Sequence, residues 1–265
     1  MSKAMDEFHL VRPSPWPFVG SISALVAAIG LVYFMHNETP WLLLAGLAGV
    51  IFTMFVWWRD VIMEAYKENA HSTRVRVGLR LGVALFIVSE VMFFVAFFWA
   101  FFWQGGLNPV TEVWPPENIE TFNPWGLPLI NTVILITSGV VLMWGAKGIK
   151  NGNKGQLMTG IGLAALLGFI FIGLQAYEYS EAAFALGEDF FDEDTIYPST
   201  FFLATGFHGF HVFVGAVFLL VCFFRAKDGH FTEEGHVGLE AAEWYWHFVD
   251  VVWVFLFIFV YVVYQ

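Results

Sequence analysis

The stretch LFIVSEVMFFVAFFWAFFW, residues 85–103, decides the fold of this chain. It contains one charged side chain, Glu90, among apolar and aromatic residues. A run this long and apolar predicts a transmembrane helix, because about 20 such residues cross the hydrocarbon core of a bilayer. A helix is required because lipid offers no partner to an unpaired backbone group. The stretch therefore raises the question of why a carboxyl group lies inside the membrane.

The composition places the whole chain in the membrane class. Of its 265 residues, 58% are hydrophobic and 13% are charged, and the mean hydropathy is +0.67. These values exclude an ordinary soluble domain. The single cysteine, Cys222, excludes a disulfide framework and a cysteine-based metal cluster within the chain. We expect no removable secretory signal, because residues 1–17 contain no apolar stretch followed by a small-residue cleavage site. The net charge of −11 makes a nucleic-acid partner unexpected.

Seven apolar runs are long enough to cross a membrane. We predict an all-α integral membrane protein that forms a single membrane domain over residues 1–265. Its spans are roughly 17–36, 41–58, 79–103, 128–147, 157–178, 198–224 and 244–264.

The positive charges predict the orientation of these spans. All twelve Lys and Arg residues lie before span 1, in the connections between spans 2 and 3, 4 and 5, and 6 and 7, or at the span ends that adjoin these connections. The connections on the other side, 37–40, 104–127 and 179–197, contain none. By the positive-inside rule, the N-terminus is expected inside and the C-terminus outside.

The longest connection on the positive side is RDVIMEAYKENAHSTRVRVG, residues 59–78. Its mixed polar and apolar character predicts a short interfacial helix with a basic end. Such a connection would allow spans 1 and 2 to stand apart from spans 3–7.

Polar residues inside the spans are the candidate functional groups. Glu90 lies near the midplane, where an unpaired carboxylate is costly, so we expect a protonated, hydrogen-bonded or cavity-facing group. It could tie two helices together as a neutral acid, take part in a proton relay or serve as a switch. His208 and His211 share a helix face, and His211 can lie level with Glu90. Ligation of haem or a metal by the two histidines is an alternative, but no third ligand accompanies them.

Two further sets lie towards the inner boundary. His247 and Asp250 share a face of span 7 and are expected to form an intramembrane hydrogen-bonded pair. Basic side chains at headgroup depth beside indole rings are typical of a phospholipid phosphate site, although ordinary membrane anchors have the same pattern. The residues of this candidate lipid site are Trp57, Trp58, Arg59, Glu64, His71, Arg225 and Lys227.

The residues alone leave two classes of function open. The chain has no nucleotide-binding loop, no catalytic triad and no convincing metal site, and we find no aligned chain of titratable groups. It is then either a non-catalytic subunit of a larger membrane complex or a small transporter or proton channel. A transporter would more typically show broken helices and inverted repeats.

Ordered motifs across nearly the whole chain resemble subunit 3 of the aa3-type haem-copper cytochrome c oxidases. The motifs are WWRDV (57–61), GLRLG (78–82), SEVMFFVAFFWAFF (89–102), WPP (114–116), PLINT (128–132), STFFLATGFHGFHVFVG (199–215), CFFR (222–225) and EWYWHFVDVVW (243–253).

This resemblance implies a non-redox subunit without catalytic residues, cofactor or metal of its own. It implies that spans 1 and 2 splay from spans 3–7 around a cleft filled with phospholipids. Haem a and copper would belong to partner subunits 1 and 2, and cytochrome c would bind through the complex. The implied roles are packing on subunit 1, support of proton uptake and turnover stability, and a route for oxygen. The acidic loop near residue 190 favours a bacterial inner (plasma) membrane, with the mitochondrial inner membrane as the alternative.

Overall fold

The structure, a computed structural model, describes residues 13–66, 71–103, 105, 114–115, 119–182, 184, 197–233 and 235–264. Every regular element within these ranges is helical. The helices are α1 (Trp16–Asn37), α2 (Trp41–Tyr66), α3 (Thr73–Phe102), α4 (Leu127–Lys150), α5 (Lys154–Ser180), α6 (Tyr197–Lys227) and α7 (Val237–Leu256), which continues as a π-helical segment, Phe257–Val263. Seven helices in the described ranges are long and apolar enough to cross a membrane. The predicted all-α fold with seven spans is confirmed.

The helices extend beyond the apolar runs that predicted them. α2 continues to Tyr66, α3 begins at Thr73 and α7 begins at Val237. The separate interfacial helix expected over 59–78 is therefore wrong for the described residues, since this segment is shared by the ends of α2 and α3; residues 67–70 lie outside the description. Hydrophobicity marks the part of a helix that lies in lipid, whereas the helix itself continues until its backbone hydrogen bonds stop.

The chain divides into two compact units with the boundary between Leu79 and Arg80. In the first unit, α1 and α2 form an antiparallel hairpin. Glu38 ends α1 in the left-handed conformation, with φ of 56°, and its N–H donates to Phe34 O at 2.8 Å. A Cβ atom at Gly46 would collide with the backbone of Ala27 on the facing helix. Small residues therefore let the two backbones approach closely.

The core of the second unit is built around two tryptophans of α7. Trp246 is fully buried, and its Nε1–H donates to Ser138 Oγ on α4 at 2.9 Å. One turn before the end of α7, Trp253 Nε1–H donates to Thr132 Oγ1, also at 2.9 Å. These bonds satisfy the polar edges of large apolar side chains and tie α7 to α4.

The close contact between α4 and α5 depends on two facing glycines. A Cβ atom added at Gly145 would lie 2.6 Å from Gly160 Cα. The turn between the two helices uses Gly152 with φ of 63°, and Asn153 then caps α5 by accepting from Gln156 N at 3.0 Å.

The part of α3 in the second unit is attached through long side chains. Near the start of this part, Arg80 Nε donates to Glu240 Oε2 at 2.7 Å and Arg80 Nη2 donates to Glu240 Oε1 at 3.0 Å. Farther along the helix, the rings of Phe86 and Tyr245 stack with centroids 6.3 Å apart. This mode of attachment holds α3 away from the backbone of its neighbours and positions Glu90.

Candidate functional site

The central feature of the site is a hydrogen bond between α3 and α6. Glu90 Oε2 and His211 Nε2 lie 2.9 Å apart, and the other ring nitrogen, Nδ1, lies 2.6 Å from Phe207 O. The His211 side chain is 8% exposed and that of Glu90 is 22% exposed. The helices therefore bring together two residues that are 121 positions apart in the sequence.

The partners of His211 restrict where its protons lie. A backbone carbonyl can only accept, so Nδ1 carries a proton and donates it to Phe207 O. Nε2 then either accepts a hydrogen bond from protonated Glu90 or donates one to its carboxylate. The pair as a whole bears no net charge in both cases. This arrangement avoids an isolated charge in the membrane interior.

Aromatic rings surround the Glu90–His211 pair. The ring of His211 lies 5.0 Å from that of Phe94 and 5.9 Å from that of Phe93, both on α3. On the α7 side, Tyr245 stacks over His211 at 6.4 Å and Phe248 lies at 6.2 Å. These rings are apolar over most of their surface, so they lower the local dielectric constant and strengthen the hydrogen bond.

His208 has different neighbours from His211 although only three residues separate them. Its side chain is fully buried, and Nε2 lies 3.2 Å from Val249 O on α7. Its ring packs 5.0 Å from Trp253 and 5.6 Å from Phe171. The two histidines thus join α6 to different helices. Within the described residues, no group of three or more His, Cys, Asp or Glu side chains is placed to hold a metal ion.

The His247–Asp250 pair belongs to a row of titratable side chains on α7. His247 Nδ1 and Asp250 Oδ2 are hydrogen-bonded at 3.2 Å, and His236 Nε2 lies 3.3 Å from Glu240 Oε1. With Glu243 between these pairs, the spacing of four, three, four and three residues places all five on one helix face. The sequence interpretation that no such row exists was wrong, because the inner part of the row lies before the predicted start of span 7.

Five of the candidate lipid-site residues precede the second unit. Trp57 and Trp58 are 40% and 56% exposed near the end of α2, and Arg59 follows them as an exposed side chain. Glu64 is partly buried on the last turns of α2, and His71 lies just before α3. Exposed indole rings beside an arginine are typical of the membrane interface.

The other two candidate lipid-site residues lie in the second unit, at the end of α6. The Arg225 guanidinium packs over the Phe231 ring, with Cζ 4.6 Å from the ring centroid. It also fills the space beside Gly238, where a Cβ atom would lie 2.5 Å from Nη1. Lys227 is exposed, and its carbonyl accepts a hydrogen bond from Lys154 Nζ at 2.6 Å. Arg225 is therefore held in a fixed, partly buried position, whereas the side chain of Lys227 points to the surface.

Sequence reasoning missed a second buried carboxyl group, Glu178. It is 1% exposed near the end of α5, one turn after Gln175, which is 4% exposed. Gln175 Nε2 donates to the Tyr261 hydroxyl at 3.4 Å, and the neighbouring Tyr179 hydroxyl bonds Thr205 Oγ1 at 2.6 Å. In the sequence, the three-residue spacing of Gln175 and Glu178 in QAYEYS could have indicated this buried polar group. It was overlooked because Glu178 is the last residue of predicted span 5.

Comparison with known proteins extends over nearly the whole chain. The model of the family described as cytochrome c oxidase subunit III matches residues 6–264. The cytochrome c oxidase subunit 3 of Marchantia polymorpha is 51% identical over 259 residues, which cover 96% of this chain and 95% of that protein. The probable cytochrome c oxidase subunit 3 of Rickettsia felis is 47% identical over 269 residues, covering 96% and 94%. The subunit 3 of Coturnix japonica is 46% identical over 260 residues, covering 97% of each.

Proposed function

The chain belongs to the cytochrome c oxidase subunit III family, and on this basis we propose that it is the non-redox subunit of a proton-pumping cytochrome c oxidase. The match over residues 6–264 carries this proposal. The partners are subunits 1 and 2, which hold haem a and copper and receive electrons from cytochrome c. The chain is a multi-pass membrane protein, and its similarity to plant and Rickettsia proteins fits both a bacterial plasma membrane and a mitochondrial inner membrane.

The interior of the described chain supports a structural role within that complex. The membrane-embedded polar groups Glu90 and His211 bond each other at 2.9 Å, and His208 bonds a backbone carbonyl at 3.2 Å. Such bonds fix the helices in one arrangement. In this assignment, the chain stabilises the oxidase during turnover, supports proton uptake by the neighbouring subunit and contributes to oxygen access.

Phospholipid binding is the second part of the proposal. The exposed Trp57, Trp58 and Arg59 in the first unit support it, as does the fixed guanidinium of Arg225 in the second. Arginine suits phosphate because its planar fork can donate two parallel hydrogen bonds. The proposed set of headgroup contacts also includes Glu64, His71 and Lys227. The N-terminus is assigned, in the same proposal, to the inner side of the membrane.

Purification through an affinity tag on this chain tests the assignment. We expect haem-bearing polypeptides to copurify in fixed stoichiometry, and the same chain expressed alone to show no haem absorbance. A haem spectrum from the isolated chain, or a purified complex without haem-bearing partners, would contradict the proposal. Ion flux through the isolated chain in liposomes would favour the alternative of an autonomous channel.

The lipid proposal has its own test in the purified complex. Replacing Arg225 by Gln removes the charge but keeps a side-chain N–H donor, and we expect bound phospholipid, measured by mass spectrometry, to fall. Lys150→Gln is a matched control, since it removes a charge from the end of α4 that has no part in the proposed site. Equal lipid content in both variants would refute the contribution of Arg225.

A further inference from the structure

Three buried polar side chains of the second unit have atoms that bond to no described residue. Asn131 on α4 is fully buried, and Gln175 and Glu178 on α5 are 4% and 1% exposed. The unpaired atoms are both amide atoms of Asn131, the amide oxygen of Gln175 and both carboxyl oxygens of Glu178. Buried polar atoms nearly always have a hydrogen-bond partner, either in the protein or in ordered water. These five atoms therefore require partners other than the described side chains.

The packing of α4 on α5 brings the three side chains together. The two helices meet at Gly145 and Gly160, where a Cβ atom added to Gly145 would lie 2.6 Å from Gly160 Cα. Asn131 lies 14 residues before Gly145, and Gln175 lies 15 residues after Gly160. Both separations are close to four helical turns, and the short turn between the helices makes them antiparallel. Asn131 and Gln175 therefore lie at the same level on the two contact faces, with Glu178 one turn farther along α5.

The C-terminal π-helical segment borders this region from a third side. Tyr261, which is 2% exposed, accepts a hydrogen bond from Gln175 Nε2 at 3.4 Å. Its hydroxyl group also interacts electrostatically with Glu178, but without a hydrogen bond of standard geometry. The Tyr261 ring lies 5.9 Å from that of Trp253, which bonds Thr132 on α4. Polar atoms of α4, α5 and the π-helical segment thus surround one region of the interior.

The chemistry of the unpaired atoms determines which ligand fits them. The amide nitrogen of Asn131 can only donate a hydrogen bond, whereas the amide oxygens of Asn131 and Gln175 can only accept one. A metal cation would satisfy the oxygens but would leave the N–H groups of Asn131 unpaired. Water both donates and accepts, and a buried water molecule makes about two to four hydrogen bonds. The mixture of donors and acceptors therefore favours water.

The carboxyl group of Glu178 fits the same ligand in its protonated form. No described basic side chain pairs with either of its oxygens. An isolated carboxylate in an apolar interior is costly, so burial favours the neutral acid. A protonated carboxyl group has one O–H donor and keeps the capacity to accept. Glu178 can therefore donate to one water molecule and accept from another.

We propose that Asn131, Gln175 and Glu178 bind internal water molecules between α4, α5 and the π-helical segment. One water molecule accepts from the Glu178 carboxyl O–H and donates to Gln175 Oε1. A second one bonds the first and the amide group of Asn131, since one molecule makes at most about four hydrogen bonds. The water joins α4 to α5 at the ends opposite the turn at Gly152. The inference goes beyond the proposed function, because it depends only on the helix packing of this chain.

High-resolution cryo-electron microscopy of the complex purified through this chain tests the ligand directly. We expect density for water at hydrogen-bond distance, about 2.7–3.2 Å, from the polar atoms of Glu178, Gln175 and Asn131. A single density with oxygen ligands at about 2.3–2.6 Å would identify a cation and overturn the proposal. Direct hydrogen bonds from these atoms to another part of the chain, or the absence of density between well-resolved side chains, would also overturn it.

Substitution of Glu178 tests its protonated form and its bond to water. Glu178→Gln keeps a donor and an acceptor without charge, so we expect the water density and the thermal midpoint of the complex to stay unchanged. Glu178→Leu removes both, and we expect the adjacent water to be lost and the midpoint to fall by about 2–4 °C. Glu181→Leu removes an exposed carboxyl group at the end of α5 and is the matched control, which should change neither. Equal midpoints for Glu178→Gln and Glu178→Leu would refute the proposed bond.

A double-mutant cycle tests whether Asn131 and Glu178 share the bound water. The two side chains have no direct hydrogen bond to each other. If water links them, the combined variant Asn131→Leu with Glu178→Leu should lower the midpoint by less than the two single variants together. Additive effects would refute a shared site. If a leucine variant fails to assemble, the structures of the unmodified complex and of the Glu178→Gln variant decide the proposal.

Discussion

Glu90 on α3 and His211 on α6 share a hydrogen bond of 2.9 Å between two helices of the second unit. α3 is otherwise joined to α6 and α7 mainly by ring contacts and by the Arg80–Glu240 ion pair near the start of this unit. The bond therefore fixes the position of α3 through two side chains that are only 22% and 8% exposed. The structural role of this bond follows from the two helices that it joins, α3 and α6.

The first prediction concerns this pair. Glu90→Leu removes one partner, leaves His211 Nε2 unpaired and should destabilise the complex by about 1–3 kcal/mol. Glu90→Gln retains a side-chain donor and should have a smaller effect. The measurement is the thermal midpoint of dissociation of the purified complex, and the coupling follows from a double-mutant cycle with His211→Ala. Ser89→Ala is the control, since Ser89 Oγ donates to Phe86 O of its own helix. Additive effects of Glu90→Leu and His211→Ala would show that the pair is energetically unimportant.

The second prediction concerns the contact of α4 with α5. Gly145→Ala places a methyl group 2.6 Å from Gly160 Cα, a backbone atom that cannot move away alone. We expect the helices to separate slightly and stability to fall by about 1–3 kcal/mol. Gly173→Ala on α5 is the matched control, because its added Cβ meets nothing within 4 Å. Thermal midpoints of the two purified variants check the prediction, and similar values for both would contradict it.

The third prediction concerns Thr132, which accepts the indole hydrogen of buried Trp253. Thr132→Val keeps the shape of the side chain but removes the acceptor, so a donor is left unpaired in an apolar site. We expect the free energy of unfolding to fall by about 1–3 kcal/mol. Trp253→Phe in the Thr132→Val background removes the unpaired donor, so the double variant should lose less than the two single variants together. If the double variant loses as much stability as the two single variants together, the hydrogen bond does not contribute to stability.

The fourth prediction concerns the orientation inferred from the positive charges. Cysteine at Asn151, in the turn after α4, should react with a membrane-impermeant maleimide only from the inner side, whereas cysteine at Thr39, between α1 and α2, should react only from the outer side. The single native cysteine, Cys222, is fully buried and should give little background. Labelling of position 39 from the inner side would reverse the assignment.

The positions of functional side chains could be predicted only in part. Counting residues along the helices indicated that His211 can lie level with Glu90, and the two side chains are in contact. The short spacing of His247 and Asp250 predicted their hydrogen bond. Glu178 was missed because the end of an apolar run was taken as the membrane boundary, whereas α5 continues to Ser180. The row of titratable groups on α7 was missed for the same reason, since its inner members lie before residue 244.

The sequence by itself determined that this chain crosses a membrane seven times as helices. That result is local, because the length of each apolar run and the need to satisfy every backbone group in lipid do not depend on neighbouring helices. Only the tertiary structure decided which polar groups meet. His208 and His211 are three residues apart yet bond α7 and α3 respectively, and Arg80 pairs with Glu240 across 160 positions. Such pairings depend on which helix faces pack together, and that is a property of the whole bundle.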